Sequence, residues 1–222
     1  MNTRPGQAKG IGRWVARELS GTAMAGAVLV ATSGRWDWTT AWVLVGVYAV
    51  TLAVQAAVLI PRSPELLVER ATRMRRGTKP WDRLLLSLYG LASLAVLVVA
   101  GLDARLGWAE GLHPGLQLAG LLLSLLGNGL VTWAMAANAF FAFSVRLQPE
   151  RGQSVATGGP YRAVRHPGYA GAAVFALGSA LLLGSAWALL PAGVAVILLV
   201  VRTSLEDRTL KAELTGYSDY TR

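Results

Sequence analysis

The sequence predicts an all-α protein, a polytopic integral membrane helical bundle of about six transmembrane helices that closes with a helical hairpin and a cytoplasmic C-terminal helix. Three observations predict it. Of 222 residues, 54% are hydrophobic and 15% charged, against about 25% charged in a soluble domain. The charges are clustered, which leaves long apolar stretches between them. The arginines also alternate, crowding every second connection between those stretches.

Six apolar segments follow in order, at roughly 14–33, 39–60, 84–102, 116–143, 168–183 and 185–201. The first is rich in Ala and Gly and carries Arg17 and Glu18 near its start. It resembles a signal peptide, but no strong cleavage site follows, so it is expected to be retained. The second and third can cross a ~30 Å hydrocarbon layer at about 1.5 Å per residue. The fourth would measure roughly 42 Å as one helix and must tilt, kink or project beyond the bilayer. The last two are short and meet at Gly184-Ser185, where a tight hairpin is expected, with Pro191 bending its second arm.

Loop charge sets the orientation. Arg4, Lys9, Arg13 and Arg17 lie in the N-terminal tail to Glu18. Arg62, Arg70, Arg73, Arg75, Arg76, Lys79 and Arg83 fill the second connection, and Arg146, Arg151, Arg162 and Arg165 the fourth. The other connections hold Arg35 and Arg105. Both termini and the second and fourth loops are therefore expected in the cytoplasm. The stretch 62–83 reads as a basic amphipathic surface segment able to meet anionic lipid. The excess of arginine over lysine points to a GC-rich bacterial genome, and hence to a bacterial inner membrane.

Composition removes several chemistries. Zero cysteines excludes disulfides, thiolate zinc sites and thiol nucleophiles. Two histidines, His113 and His166, make a histidine-rich metal site untenable. A net charge of +9 raises the question of nucleic acid, but these charges flank apolar segments and form no basic domain. No nucleic-acid partner is expected.

One polar run interrupts this pattern: "GGPYRAVRHPGYAG", 158–171, between two apolar stretches. Gly158, Gly159 and Pro160 break any helix, and Pro167 suits the first turn of the next one. His166, Pro167 and Tyr169 would then stand at a helix N-terminus, where free N–H groups favour an anionic or polar ligand group. A second polar run, "VRTSLEDRTLKAEL", follows the last apolar segment. Arg202 and Glu206 are four apart and share a helix face, and Asp207 adjoins them. The hairpin between the two runs returns both to one side of the membrane. Each alone reads as an interfacial turn or a solvated ion pair, but together they can enclose a zwitterionic ligand.

These two runs with "GYSDY" resemble the isoprenylcysteine carboxyl methyltransferase family and its bacterial relatives, over about 138–220; phospholipid N-methyltransferases share the broader pattern. The resemblance implies a single membrane domain, with helices over 1–110 and a cofactor-binding methyltransferase core over 111–222. It implies S-adenosylmethionine as cofactor, held by Gln153, Ser154, Val155, Ala156, Tyr161, His166, Pro167, Gly168, Tyr169 and Glu206, with Arg202 facing the methyl acceptor. Two positions depart from the pattern: Asp207 stands where glutamate is common, and Gln153 where histidine is common. The implied partner is a lipophilic small molecule or lipid, most simply a carboxylate, which needs no general base to attack a methyl group. A phospholipid or amine acceptor, an NADPH-dependent membrane reductase and a non-enzymatic scaffold are the alternatives. Reductases of that kind usually carry Asn where this chain has Gly168.

Smaller signals remain. Asn128, between Gly127 and Gly129, is expected to make an interhelical hydrogen bond at a close helix approach. Asn138 lies nearer the cytoplasmic end and within reach of the cofactor pocket. Gln55 is expected to pack between helices, and His113 to start one on the outer side.

Overall fold

The computed structural model describes residues 5–72 and 77–222; Arg4, Arg73, Arg75 and Arg76 lie outside the described residues. Those residues form an all-helical bundle, as the sequence predicts. Its helices are α1 (Pro5–Ser33), α2 (Thr39–Arg62), α3 (Pro64–Arg70), α4 (Pro80–Leu106), α5 (Pro114–Ala137), α6 (Pro167–Leu182), α7 (Leu189–Glu213) and α8 (Tyr217–Tyr220), with single 3₁₀ turns at Pro149–Arg151 and Gly159–Arg162. By length and composition, α2, α4, α5 and α7 can each cross a membrane. The apolar helix α6 has only 16 residues. Helix α1 is long, but Lys9, Arg13, Arg17 and Glu18 make its first half polar.

Two expected boundaries shift and one expected bend is absent, each for a local reason. The fourth segment stops being helical at Ala137 rather than near 143, because Asn138 is extended and its Oδ1 accepts the Phe140 N–H at 2.9 Å. That side chain offers the backbone an alternative to the next helical turn. The hairpin does turn at Gly184, whose φ of +77° is natural only for glycine. Its second arm, however, starts at Leu189 and not at Ser185. Ser185 instead accepts the Ala188 N–H at 3.1 Å and donates to Asp103 at 2.6 Å, tying the hairpin tip to α4. Pro191 therefore falls in the first turn of α7, where its missing N–H leaves no helical bond unmade. The expected bend has no cause there, and α7 runs on to Glu213.

Two helices, α5 and α6, meet backbone to backbone. A Cβ added at Gly127 would lie 2.5 Å from the Gly171 carbonyl oxygen, and one at Gly178 2.7 Å from the Ser124 nitrogen. Small residues at such spacing let apolar helices gain contact without a hydrophobic driving force between them. The close approach beside Asn128 thus belongs to Gly127; nothing lies within 4 Å of a Cβ at Gly129. The expected hydrogen bond of Asn128 is not made, since its Nδ2 is buried without a partner among the described residues. The helix-crossing bond at this level runs from Gln55 Nε2 to Thr132 Oγ1, at 3.3 Å.

The stretch after α2 does not lie wholly on a surface, as the basic pattern led one to expect. Leu66 and Leu67 of α3 are fully buried with Trp14, Leu59 and Met135. Their packing pins α3 across the end of the bundle, beside the segment that leaves α5. His113 does start α5, accepting the Gly115 N–H at 3.1 Å.

Candidate active site

Residues 138–147, released from α5, curl over the same end of the bundle where α6 starts and α7 finishes. Between them lies a cavity of about 220 Å³. Its wall contains all the site residues read from the sequence, namely Gln153, Ser154, Val155, Ala156, Tyr161, His166, Pro167, Gly168, Tyr169, Arg202 and Glu206. One side is apolar, with Leu86, Val131, Ala172 and Leu199.

The Gly-Gly-Pro turn sets Tyr161. Gly159 has φ +57°, and Pro160 and Tyr161 are buried. The Tyr161 hydroxyl accepts from Asn138 Nδ2 at 3.2 Å, and its carbonyl accepts the Tyr220 hydroxyl at 2.5 Å. Burial pushes the Tyr161 hydroxyl pKa up, against a smaller downward effect of Asn138. Asn138 therefore does line the site. Gln153 is fixed differently, its Oε1 accepting the Gln148 N–H at 2.7 Å.

His166 precedes α6 and Pro167 opens it. The imidazole lies 3.2 Å from the Tyr217 hydroxyl and 3.4 Å from Asp207, and stacks on Tyr169. Tyr169 donates its hydroxyl to Glu206. A Cβ at Gly168 would sit 2.4 Å from the Phe141 ring, so any larger residue must displace that ring from the cavity wall. The asparagine expected of a membrane reductase does not fit beside Phe141 as it stands.

The two adjacent acids divide. Asp207 is engaged by Tyr217 at 2.8 Å, Lys211 at 2.9 Å and Arg165 at 3.5 Å, and does not line the cavity. Burial raises the Tyr217 hydroxyl pKa, and the Asp207 charge raises it further. Glu206 is the one carboxylate among the described residues on the cavity wall. No group of residues able to hold a metal ion occurs among the described residues.

Arg202 makes no ion pair with Glu206. Its Nε donates to Asp82 Oδ1 at 2.6 Å, and its Nη2 to Asp82 Oδ2 at 3.3 Å and to the Phe143 carbonyl at 2.9 Å. Asp82 is fully buried, and its Oδ2 also accepts the Val145 N–H at 2.7 Å. One carboxylate thus joins α4 and α7 to the segment over the cavity. The guanidinium also lies over the Tyr169 ring, 4.9 Å from its centre. Asp82 gave no local sequence signal, standing as one of three acids in a basic stretch. Tyr217 and Tyr220 had one, in "GYSDY", but only α8 brings them back to the site.

Residues 116–214 match the family model of phospholipid methyltransferases. No curated protein and no solved structure matches the chain significantly. The family match supports a membrane methyltransferase, and it covers α5 to α7 with the loops that build most of the cavity.

Proposed function

We propose that this chain is an integral membrane methyltransferase that uses S-adenosylmethionine to methylate a lipophilic acceptor, and that the acceptor group is a carboxylate, as in isoprenylcysteine carboxyl methyltransferases. One observation carries the reading: the predicted binding residues, Glu206 among them, line one cavity and all fall within the matched span 116–214. The cavity faces the cytoplasm of a bacterial inner membrane in this reading, where a soluble cofactor meets a lipid.

The residues fit the cofactor. Its zwitterionic end needs an anion and hydrogen-bond donors close together. Glu206, oriented by the Tyr169 hydroxyl, supplies the first, and the Gly168 N–H in the first turn of α6 supplies a donor, since Pro167 has none and the Tyr169 and Ala170 N–H groups are bonded to the His166 carbonyl. Residues 153–156 and Tyr161 form the wall beside them. When bound, the cofactor supplies a methyl group on a sulfonium, open to in-line displacement. What the chain contributes is alignment and exclusion of water. Leu86, Val131, Ala172 and Leu199 keep one side dry, and Asp82 fixes Arg202 so that its positive charge faces the acceptor.

S-adenosylhomocysteine titration tests this directly. The wild-type protein is expected to bind it, and Glu206→Gln to weaken binding by about 1.5–3 kcal/mol through loss of a charged hydrogen-bond acceptor. Unchanged affinity in a folded variant removes Glu206 from the site. The family match favours a second reading, a phospholipid amine acceptor. Rate against pH separates the two, since an ionised carboxylate gives a rate nearly flat from about pH 6 to 8. An amine must first lose a proton, so its rate rises across that range.

A further inference from the structure

Charges on the cavity wall nearly all have partners in the fold. Arg202 has Asp82, Arg165 has Asp207, and Arg146 has Glu69 at 2.9 Å and Glu150 at 2.8 Å. Arg70, the last residue of α3, is different. It lines the cavity yet forms no ion pair among the described residues. The nearby Glu18 is taken by Arg17. The Nε of Arg70 is buried with no hydrogen-bond partner, and its Nη1 reaches the Phe141 carbonyl only at 3.5 Å. Its guanidinium is held in place by the rings of Phe141 and Phe143, with centres 5.4 and 5.9 Å away.

An unmade bond on a buried guanidinium is costly, because the N–H has lost water and gained nothing. Arg17 and Arg202 add like charge nearby. Burial foremost, and then these two cations against the opposing Glu18, bring the Arg70 pKa down to about 10, so it stays protonated at pH 7. The fold thus holds an unneutralised fork against aromatic rings and leaves its Nε edge bare. Arg202 cannot serve as such a fork, since Asp82 and Phe143 already occupy its Nε and Nη2.

We propose that Arg70 binds the anionic group of the methyl acceptor, a carboxylate or a phosphate carried on a lipophilic chain. Both groups accept two parallel hydrogen bonds from a guanidinium edge. The inference rests on the methyltransferase reading for the word acceptor, but its binding chemistry stands on the residues alone. Arg70 lies outside the span 116–214 and on a different element, α3, from the proposed cofactor residues.

The test uses the full-length protein in neutral maltoside micelles at pH 8, titrated with palmitate, hexadecyl phosphate and methyl palmitate. At least one of the two anions is expected to bind roughly tenfold or more tightly than the neutral ester. Which anion gains distinguishes a carboxylate from a phosphate source. Arg70→Gln should bring anion and ester to within about twofold of each other, and Arg70→Lys should restore part of the preference. S-adenosylhomocysteine affinity, measured on the same samples, should stay within about twofold and certifies the fold of the variants. No preference in wild type, or a preference that survives Arg70→Gln, overturns the proposal. Anion preference through Arg70 with no S-adenosylhomocysteine binding in wild type would instead keep the anion site and remove the methyltransferase reading.

Discussion

Arg202→Lys is expected to cut turnover by about 10²-fold or more while S-adenosylhomocysteine affinity changes little. A lysine keeps the charge but cannot reach both oxygens of Asp82 and the Phe143 carbonyl at once. The segment 143–145 and the guanidinium proposed to face the acceptor would then lose their common anchor. Asp82→Ala tests the same unit from the other side. It leaves a buried guanidinium without its carboxylate, at a cost of about 3–5 kcal/mol, visible as a fall in the thermal midpoint. If the lysine variant loses cofactor affinity but turns over normally at saturating cofactor, Arg202 belongs to cofactor binding, and its role toward the acceptor is lost.

Gly127→Val should destabilise the bundle by about 3 kcal/mol and weaken S-adenosylhomocysteine binding together. The first Cβ would already lie 2.5 Å from the Gly171 oxygen and 2.7 Å from the Phe175 nitrogen. Both are backbone atoms, so no side chain can turn away, and α5 and α6 must separate. Because α6 opens with the His166-Pro167-Gly168-Tyr169 run, that separation moves the cavity wall. Gly129→Ala on the same helix is the control. Open space surrounds it, and alanine favours a helix by about 1 kcal/mol over glycine. Equal melting of Gly127→Val and wild type would show that the α5–α6 contact is not what holds this end.

The sequence by itself determined the helical membrane bundle, because runs of apolar residues and the Gly and Pro between them act locally. It also brought the 158–171 and 202–207 runs to one end, because a hairpin between them allows little else. The resemblance favoured Glu206 over Asp207, and the fold separates the two: Asp207 is engaged by Lys211, Tyr217 and Arg165, while Glu206 meets Tyr169 on the cavity wall. Tertiary structure alone decided the rest. Arg70 and Asp82 sit in a loop whose charge pattern is that of a solvated face, and nothing within a few residues of either indicates burial. Their places follow from Leu66 and Leu67 packing on Trp14 and Met135, and from the early end of α5 at Asn138. Burial of a charge is a property of what covers it, and here the cover comes from Phe141, Phe143 and Val145, more than sixty residues along the chain.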